Sequence, residues 1–166
     1  MSEPFDSLNP PQAAVTLRSL PRRVRAALAV LEREEVPLDA AGASGESPLA
    51  IVDDMARSLM VIDRGLQQVL LHEAPTLLAA VMDPGARVWE QPPGDRHTCL
   101  AALDDITAEL ADRIDGAPGD SWTRTAAIAG GSTASSLDIA REAARTGIGR
   151  LRDLEAAGTG QPVTDD

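Results

Sequence analysis

Residues 135–156, SSLDIAREAARTGIGRLRDLEA, decide the fold because they carry the clearest helical pattern in the chain. Ser135 and Asp138 are typical of a helix start, and Gly158 is typical of a helix end. Small or apolar residues recur every three or four positions and form one stripe of an α-helix. The small middle of this stripe predicts a closely packed neighbour, although Gly147 and Gly149 would also suit space held open for a ligand. The stripe consists of Leu137, Ala140, Ala144, Gly147, Leu151 and Leu154.

Three earlier segments show the same periodicity, and loops separate them. We predict helices over residues 13–35, 48–72 and 96–115. Ser47 is expected to cap the second of these helices, with Pro48 in its first turn. No alternating strand pattern is visible. The fold class is therefore predicted to be all-α, a four-helix bundle.

The segments between and beyond the helices complete the predicted organisation. Residues 73–95 contain too many prolines and glycines for one long helix, so they form a long connection between helices two and three, in which 76–82 could be a short helix. Residues 1–12 are expected to be a flexible lead, in which two prolines delay the first helix. We predict one folded domain over residues 13–157 and a disordered tail over residues 158–166.

Composition limits the classes of function. The chain has 166 residues and a net charge of −11, from 26 acidic and 15 basic residues, and every basic residue is Arg. An acidic chain without a basic run argues against binding nucleic acid or an anionic membrane. A single cysteine, Cys99, fits a reducing compartment, and neither a signal peptide nor an apolar run of about 18 residues is visible. We therefore expect a cytoplasmic protein.

Residues 119–157 resemble the C-terminal part of DinB-like proteins, the superfamily that includes mycothiol-dependent enzymes and bacillithiol transferases. That pattern has a Trp and an Arg, a Gly-containing turn, and a capped last helix that bears two metal-binding histidines four residues apart. The resemblance extends most clearly over residues 40–157 and implies a DinB-like four-helix bundle. The matching residues are Trp122, Arg124, Gly130, Gly131, Thr133, Leu137, Ile139, Ala140, Leu151 and Glu155.

The sequence departs from this pattern at the metal ligands. Thr146 and Arg150 occupy the positions of the two histidines, and Asp54, or Asp53 by a one-residue shift, occupies that of a third ligand on helix two. Arg has no lone pair to donate and brings a repelling charge. Glu142, one turn before Thr146, does not restore the set. We therefore predict no metal and no cofactor.

Asp54 and Arg150 are the first candidates for functional residues. They could pair in the vacated site, or they could be ordinary charges facing solvent. In a binding site, Arg150 would anchor an anionic group and Asp54 would act as acid or base.

Trp89, Trp122, Thr146 and His97 are candidate substrate-binding residues. The two tryptophans could line a pocket at one end of the bundle or merely cover the core. A nucleophilic pair of His97 and Cys99 is conceivable, but Cys99 lies on an apolar stripe and is more typical of a core residue.

The sequence favours a metal-independent DinB-like protein that reuses the bundle cavity for a small molecule. It could be an isomerase, cyclase or lyase in bacterial metabolism, or a binder without turnover. A non-catalytic accessory or homodimeric interaction protein is the alternative, and a metal-dependent thiol S-transferase is less favoured. The expected partner is a small-molecule ligand or substrate, with a homodimer left open, and with no nucleic acid and no membrane.

Overall fold

The computed structural model describes residues 4–158, which form four long helices and a small three-stranded sheet. The helices are α1 (Pro10–Arg33), α2 (Pro48–Leu71), α3 (Arg96–Gly116) and α4 (Ser136–Ala156). The strands are β1 (Thr76–Leu77), β2 (Thr125–Ile128) and β3 (Ser132–Ser135). The prediction of an all-α fold is therefore corrected to a mostly helical fold with a small sheet. Apart from Gly158, the predicted tail lies outside the described residues.

The helix starts follow from local capping chemistry. Ser47 accepts a hydrogen bond from the Ala50 backbone N–H, as predicted, and Ser135 forms a reciprocal capping box with Asp138. The predicted start of α1 is wrong, because Asn9 caps the helix and Pro10 lies in its first turn. Prolines fit this turn, since its N–H groups have no partner within the helix.

The helices pack around one hydrophobic core, with α1 and α2 each lying against both α3 and α4. Arg113 of α3 bonds Asp63 of α2, and Cys99 lies near Leu49, so α2 and α3 run parallel. Because parallel neighbours need a return path, residues 72–95 travel back along the bundle. We call this segment the connection.

The short helix considered for residues 76–82 is only partly present. Residues 76–77 form β1, which pairs in parallel with β2, and a single 3-10 turn follows at Ala79–Val81. β2 and β3 form an antiparallel hairpin. Its turn contains Gly130 and Gly131 with φ of +107° and +104°, a conformation that favours glycine.

Close packing explains one glycine of α4. A Cβ added to Gly147 would lie 2.4 Å from Cδ1 of the buried Leu20 in α1, whereas a Cβ on Gly149 would meet nothing within 4 Å. Tight packing is therefore the reason for Gly147, and Gly149 faces open space. No helix within residues 4–158 is long and apolar enough to cross a bilayer.

Candidate functional site

The structure brings Asp54 of α2 and Arg150 of α4 into contact. Nε of Arg150 lies 2.8 Å from Oδ2 of Asp54, and the two side chains are 19% and 25% exposed, respectively. The sequence left open whether these residues pair or face solvent. They form an ion pair at the edge of the bundle, partly open to solvent.

Two more carboxylates surround Arg150. Its Nη2 donates to Oε1 of Glu46 at 2.7 Å, and its Nη1 donates to Oδ2 of Asp153 at 2.8 Å. The buried Nε has no hydrogen-bond partner among the described residues, so its contact with Asp54 is electrostatic. Burial opposes the charged form, but Glu46 and Asp54 outweigh it and raise the pKa of Arg150 above its ordinary value. Arg150 therefore stays protonated at neutral pH and does not act as an acid or a base in a reaction.

Trp89 of the connection holds the other oxygen of Asp54. Its indole Nε1 donates to Oδ1 at 2.6 Å. Arg57 lies over the Trp89 ring at 6.0 Å from its centroid, pairs with Asp53 at 2.7 Å, and donates to the backbone oxygen of Gln91. The carboxylate of Asp54 is thus fixed from two sides by groups on different elements of the fold.

A second, more deeply buried cluster lies beside this site and was not predicted from the sequence. Nη2 of Arg87, in the connection, donates to Oε1 of Glu142 at 3.0 Å, and the two side chains are only 3% and 5% exposed. Arg87 also donates to Thr146 Oγ1 at 3.0 Å and to the backbone oxygens of Ala80 and Val81. The guanidinium therefore joins the connection to α4.

Glu142 accepts from three donors, and the Thr146 hydroxyl both accepts and donates a hydrogen bond within the cluster. Besides Arg87, the donors are Thr146 Oγ1 at 3.0 Å and Arg145 Nη1 at 2.8 Å. Thr146 was a candidate ligand contact, but its hydroxyl bonds both Arg87 and Glu142. The sequence did offer one signal for this cluster. Glu142 and Thr146 lie three and seven residues after Ile139, on a buried face of α4 where a polar side chain needs a partner.

Trp122 lies far from Trp89. It belongs to a 3-10 turn, Gly119–Thr123, which contacts the start of α4 where Ser136 Oγ donates to the Ser121 oxygen at 2.6 Å. Arg150 is about 14 residues further along α4, which corresponds to roughly 20 Å. The two tryptophans therefore do not line one pocket.

His97 and Cys99 do not form a reactive pair. His97 is exposed in the first turn of α3, whereas Cys99 is buried and its Sγ lies 3.3 Å from the Gly94 oxygen. Burial, followed by the charge of Asp53, raises the pKa of Cys99 to about 11. Cys99 is therefore a protonated core residue at neutral pH.

The site has excess negative charge, with four carboxylates against two guanidinium groups, a formal charge of −2. The carboxylates belong to Glu46, Asp53, Asp54 and Asp153, and the guanidinium groups belong to Arg57 and Arg150. Within residues 4–158, no three His, Cys, Asp or Glu side chains are arranged to hold a metal ion. The Arg150 guanidinium, which has no lone pair, lies among three of the carboxylates. These residues do not fit the divalent ion that the resemblance implies.

Comparison with known proteins gives no relative: no family model, no curated protein and no solved structure matches the chain significantly. The resemblance to DinB-like proteins therefore stays a prediction from the sequence.

Proposed function

We propose that this chain is a metal-independent, DinB-like helical bundle that binds a small molecule at Asp54, Trp89 and Arg150. The observation that supports this most is the double restraint on Asp54, whose two oxygens face the Trp89 indole N–H and the Arg150 guanidinium. Small-molecule sites typically combine an aromatic wall with a few fixed polar groups. Asp54 is both restrained and a quarter exposed, so it can meet a ligand without rearrangement.

The charge of the site favours a ligand with a cationic group. An anion would face the four surrounding carboxylates, and the two arginines are already engaged by them. The face of an indole also attracts cations, and one face of Trp89 already holds the Arg57 guanidinium. We therefore propose Asp54 as the group that recognises the ligand, with Arg150 holding the carboxylates in place rather than anchoring an anion.

Any reaction at this site would use Asp54 as its acid or base. Arg150 keeps its proton, and the Thr146 hydroxyl is held by Arg87 and Glu142. An isomerase, cyclase or lyase that moves a proton through one carboxylate is compatible with this arrangement. We propose ligand binding as the function of this site, and any turnover requires that binding.

The first measurement is native mass spectrometry of freshly purified protein, with and without added zinc or nickel. We expect no stoichiometric metal and, if the natural ligand survives purification, an organic adduct. One metal ion per chain would contradict the proposal and return the protein to the thiol-transferase class.

The second measurement compares two aromatic probes of opposite charge, benzylamine and benzoate, by fluorescence of Trp89 in a Trp122→Phe background. We expect saturable quenching by benzylamine and none by benzoate. Asp54→Asn should weaken benzylamine binding about tenfold or more, because it removes one charge. Asp104→Asn is the matched control, since Asp104 is also held by an arginine but lies on another face. Stronger binding of benzoate than of benzylamine would refute the assigned ligand charge.

A non-catalytic interaction protein is the second candidate function. Leu71 and Leu78 are 67% and 73% exposed. Large apolar side chains this exposed are common at contact surfaces when they adjoin an apolar groove, and Leu71 adjoins one.

A further inference from the structure

A groove of about 580 Å³ lies at the end of the bundle opposite Asp54, between the last turns of α2 and α3. We call it the end groove. Its apolar lining includes Leu70, Leu71, Ala117 and Pro118. Leu71 is 67% exposed, whereas most leucines of the four helices are buried in the core. The end groove therefore combines an apolar recess with an apolar side chain that projects beside it.

The charged residues of the end groove balance one another. Arg113 is neutralised by Asp63, to which it donates hydrogen bonds of 2.7 and 3.0 Å. Arg124 donates one N–H to the Leu70 backbone oxygen and has no carboxylate partner within residues 4–158. The Asp120 carboxylate also has no hydrogen-bond or ion-pair partner among the described residues. One acid and one base of the lining thus remain unmatched. The charged lining residues are Arg113, Asp120 and Arg124, and the Asp63 partner of Arg113 brings their sum to zero.

We propose that the end groove is the interface of a symmetric homodimer of this chain. In a two-fold contact a surface meets itself, so each unmatched group must find its complement on the same surface. Asp120 of each copy would face Arg124 of the other, and Leu71 of each copy would enter the apolar recess of the other. The chain as a whole carries a charge of −11, so two copies repel each other over most of their surface. A neutral, apolar surface is where that repulsion is weakest.

This inference does not depend on the proposed small-molecule site, which lies at the other end of the bundle. The test is sedimentation velocity of the full chain over a concentration series from about 1 µM to about 300 µM, the range expected for a modest interface. We expect a concentration-dependent shift from monomer to dimer. A monomer at every concentration would overturn the proposal, and so would saturable binding of a small molecule in the groove of a monomer.

Two variants locate the interface. Leu71→Asp should raise the dissociation constant at least about tenfold, because it places a charge in the apolar contact. Val30→Asp is the matched control. Val30 is 39% exposed near the far end of α1, where Glu32 pairs with Arg96 in the first turn of α3, so we expect its dimer to be unchanged. An equal effect of both variants, or no effect of Leu71→Asp, would exclude this interface.

A charge exchange tests the symmetry. Asp120→Arg and Arg124→Asp should each weaken the dimer, and the double variant should restore it, because both cross-copy pairs are then rebuilt with reversed sign. Since Arg124 also caps α2, circular dichroism must show that its variant is folded. Failure of the folded double variant to recover association would refute the pairing of Asp120 with Arg124.

Discussion

Replacing Arg87 with Met should destabilise the fold more than any other single loss of an arginine. Arg87 is buried beside Glu142, and it also donates hydrogen bonds to the Thr146 hydroxyl and to the backbone oxygens of Ala80 and Val81. Met has a similar length and can fill much of the volume, so the change removes mainly charge and hydrogen bonds. The backbone oxygens then lose a donor in a place that water reaches poorly.

The expected loss follows from what remains around Glu142. Breaking a buried ion pair costs about 3–5 kcal/mol. Arg145 and Thr146 still bond Glu142 at 2.8 and 3.0 Å, so its charge is not left alone and the loss belongs near the lower limit. We expect about 3 kcal/mol in the free energy of unfolding, which corresponds to a fall in Tm of about 6–12 °C for a domain of this size.

Urea unfolding followed by circular dichroism measures this loss. Arg25→Met is the matched control, because Arg25 also bonds a carboxylate, Asp104, through two N–H groups but both side chains are more than 40% exposed. An exposed pair contributes about 1 kcal/mol or less. The double variant Arg87→Met with Glu142→Leu should cost less than the sum of its single variants, because an apolar pair needs no partner. Equal losses for Arg87→Met and Arg25→Met would refute this account of the buried cluster.

Three further predictions concern single positions. Gly147→Ala should destabilise the protein by about 1–3 kcal/mol, because the new methyl group meets the buried Leu20 side chain. Gly149→Ala should stabilise it by up to about 1 kcal/mol, because alanine has the higher helix propensity and the position is open. Thermal unfolding of both variants measures the two effects. Cys99 should react with iodoacetamide at pH 8 far more slowly than in urea, and faster as the pH approaches about 11; a rapid reaction in the folded protein at pH 8 would contradict its burial. The hydrogen bonds from Arg25 lower the pKa of Asp104 from 3.8, so this pair should stabilise the fold above pH 3.8 and lose that effect as the pH falls through the lower pKa of the folded protein. Asp104→Asn should therefore be less stable than wild type at pH 7 and equally stable below the folded pKa of Asp104, as acid titration can show.

The helices could be predicted from the sequence because their information is local. Apolar spacing and capping residues gave α2 and α4 almost to the residue, as at Ser47 and Ser135. The strands could not be predicted in this way, since β1 has two residues and the hairpin strands have four each, too few for an alternating pattern to be visible. Their pairing depends on a connection that brings distant segments together. The start of α1 was missed because Pro10 was interpreted as delaying a helix when it suits the first turn of one.

For the candidate site, too, part could be predicted from the sequence and part could not. The resemblance placed Asp54 and Arg150 at the positions of two metal ligands and left open whether they pair; the structure shows them in contact. Arg87 lies in an irregular segment, where the sequence has no helical or strand periodicity from which the orientation of a side chain could be predicted. Its partner could have been noticed, because Glu142 falls on a buried face of α4, but the source of the compensating charge could only come from tertiary structure.

The buried cluster around Glu142 and the ion pairs around Arg150 belong to one row of polar residues on α4, which we call the polar ridge. Glu142, Thr146 and Arg150 are each four residues apart, so they lie along the same face of α4. Arg87 has an extended backbone, with φ of −90° and ψ of 99°, and alternate residues of an extended chain point to the same side. Arg87 and Trp89 therefore both turn towards the ridge while Val88 between them is 77% exposed. The buried arginine fixes the position from which the indole reaches Asp54, so the stability of the fold and the shape of the proposed binding site depend on the same contact.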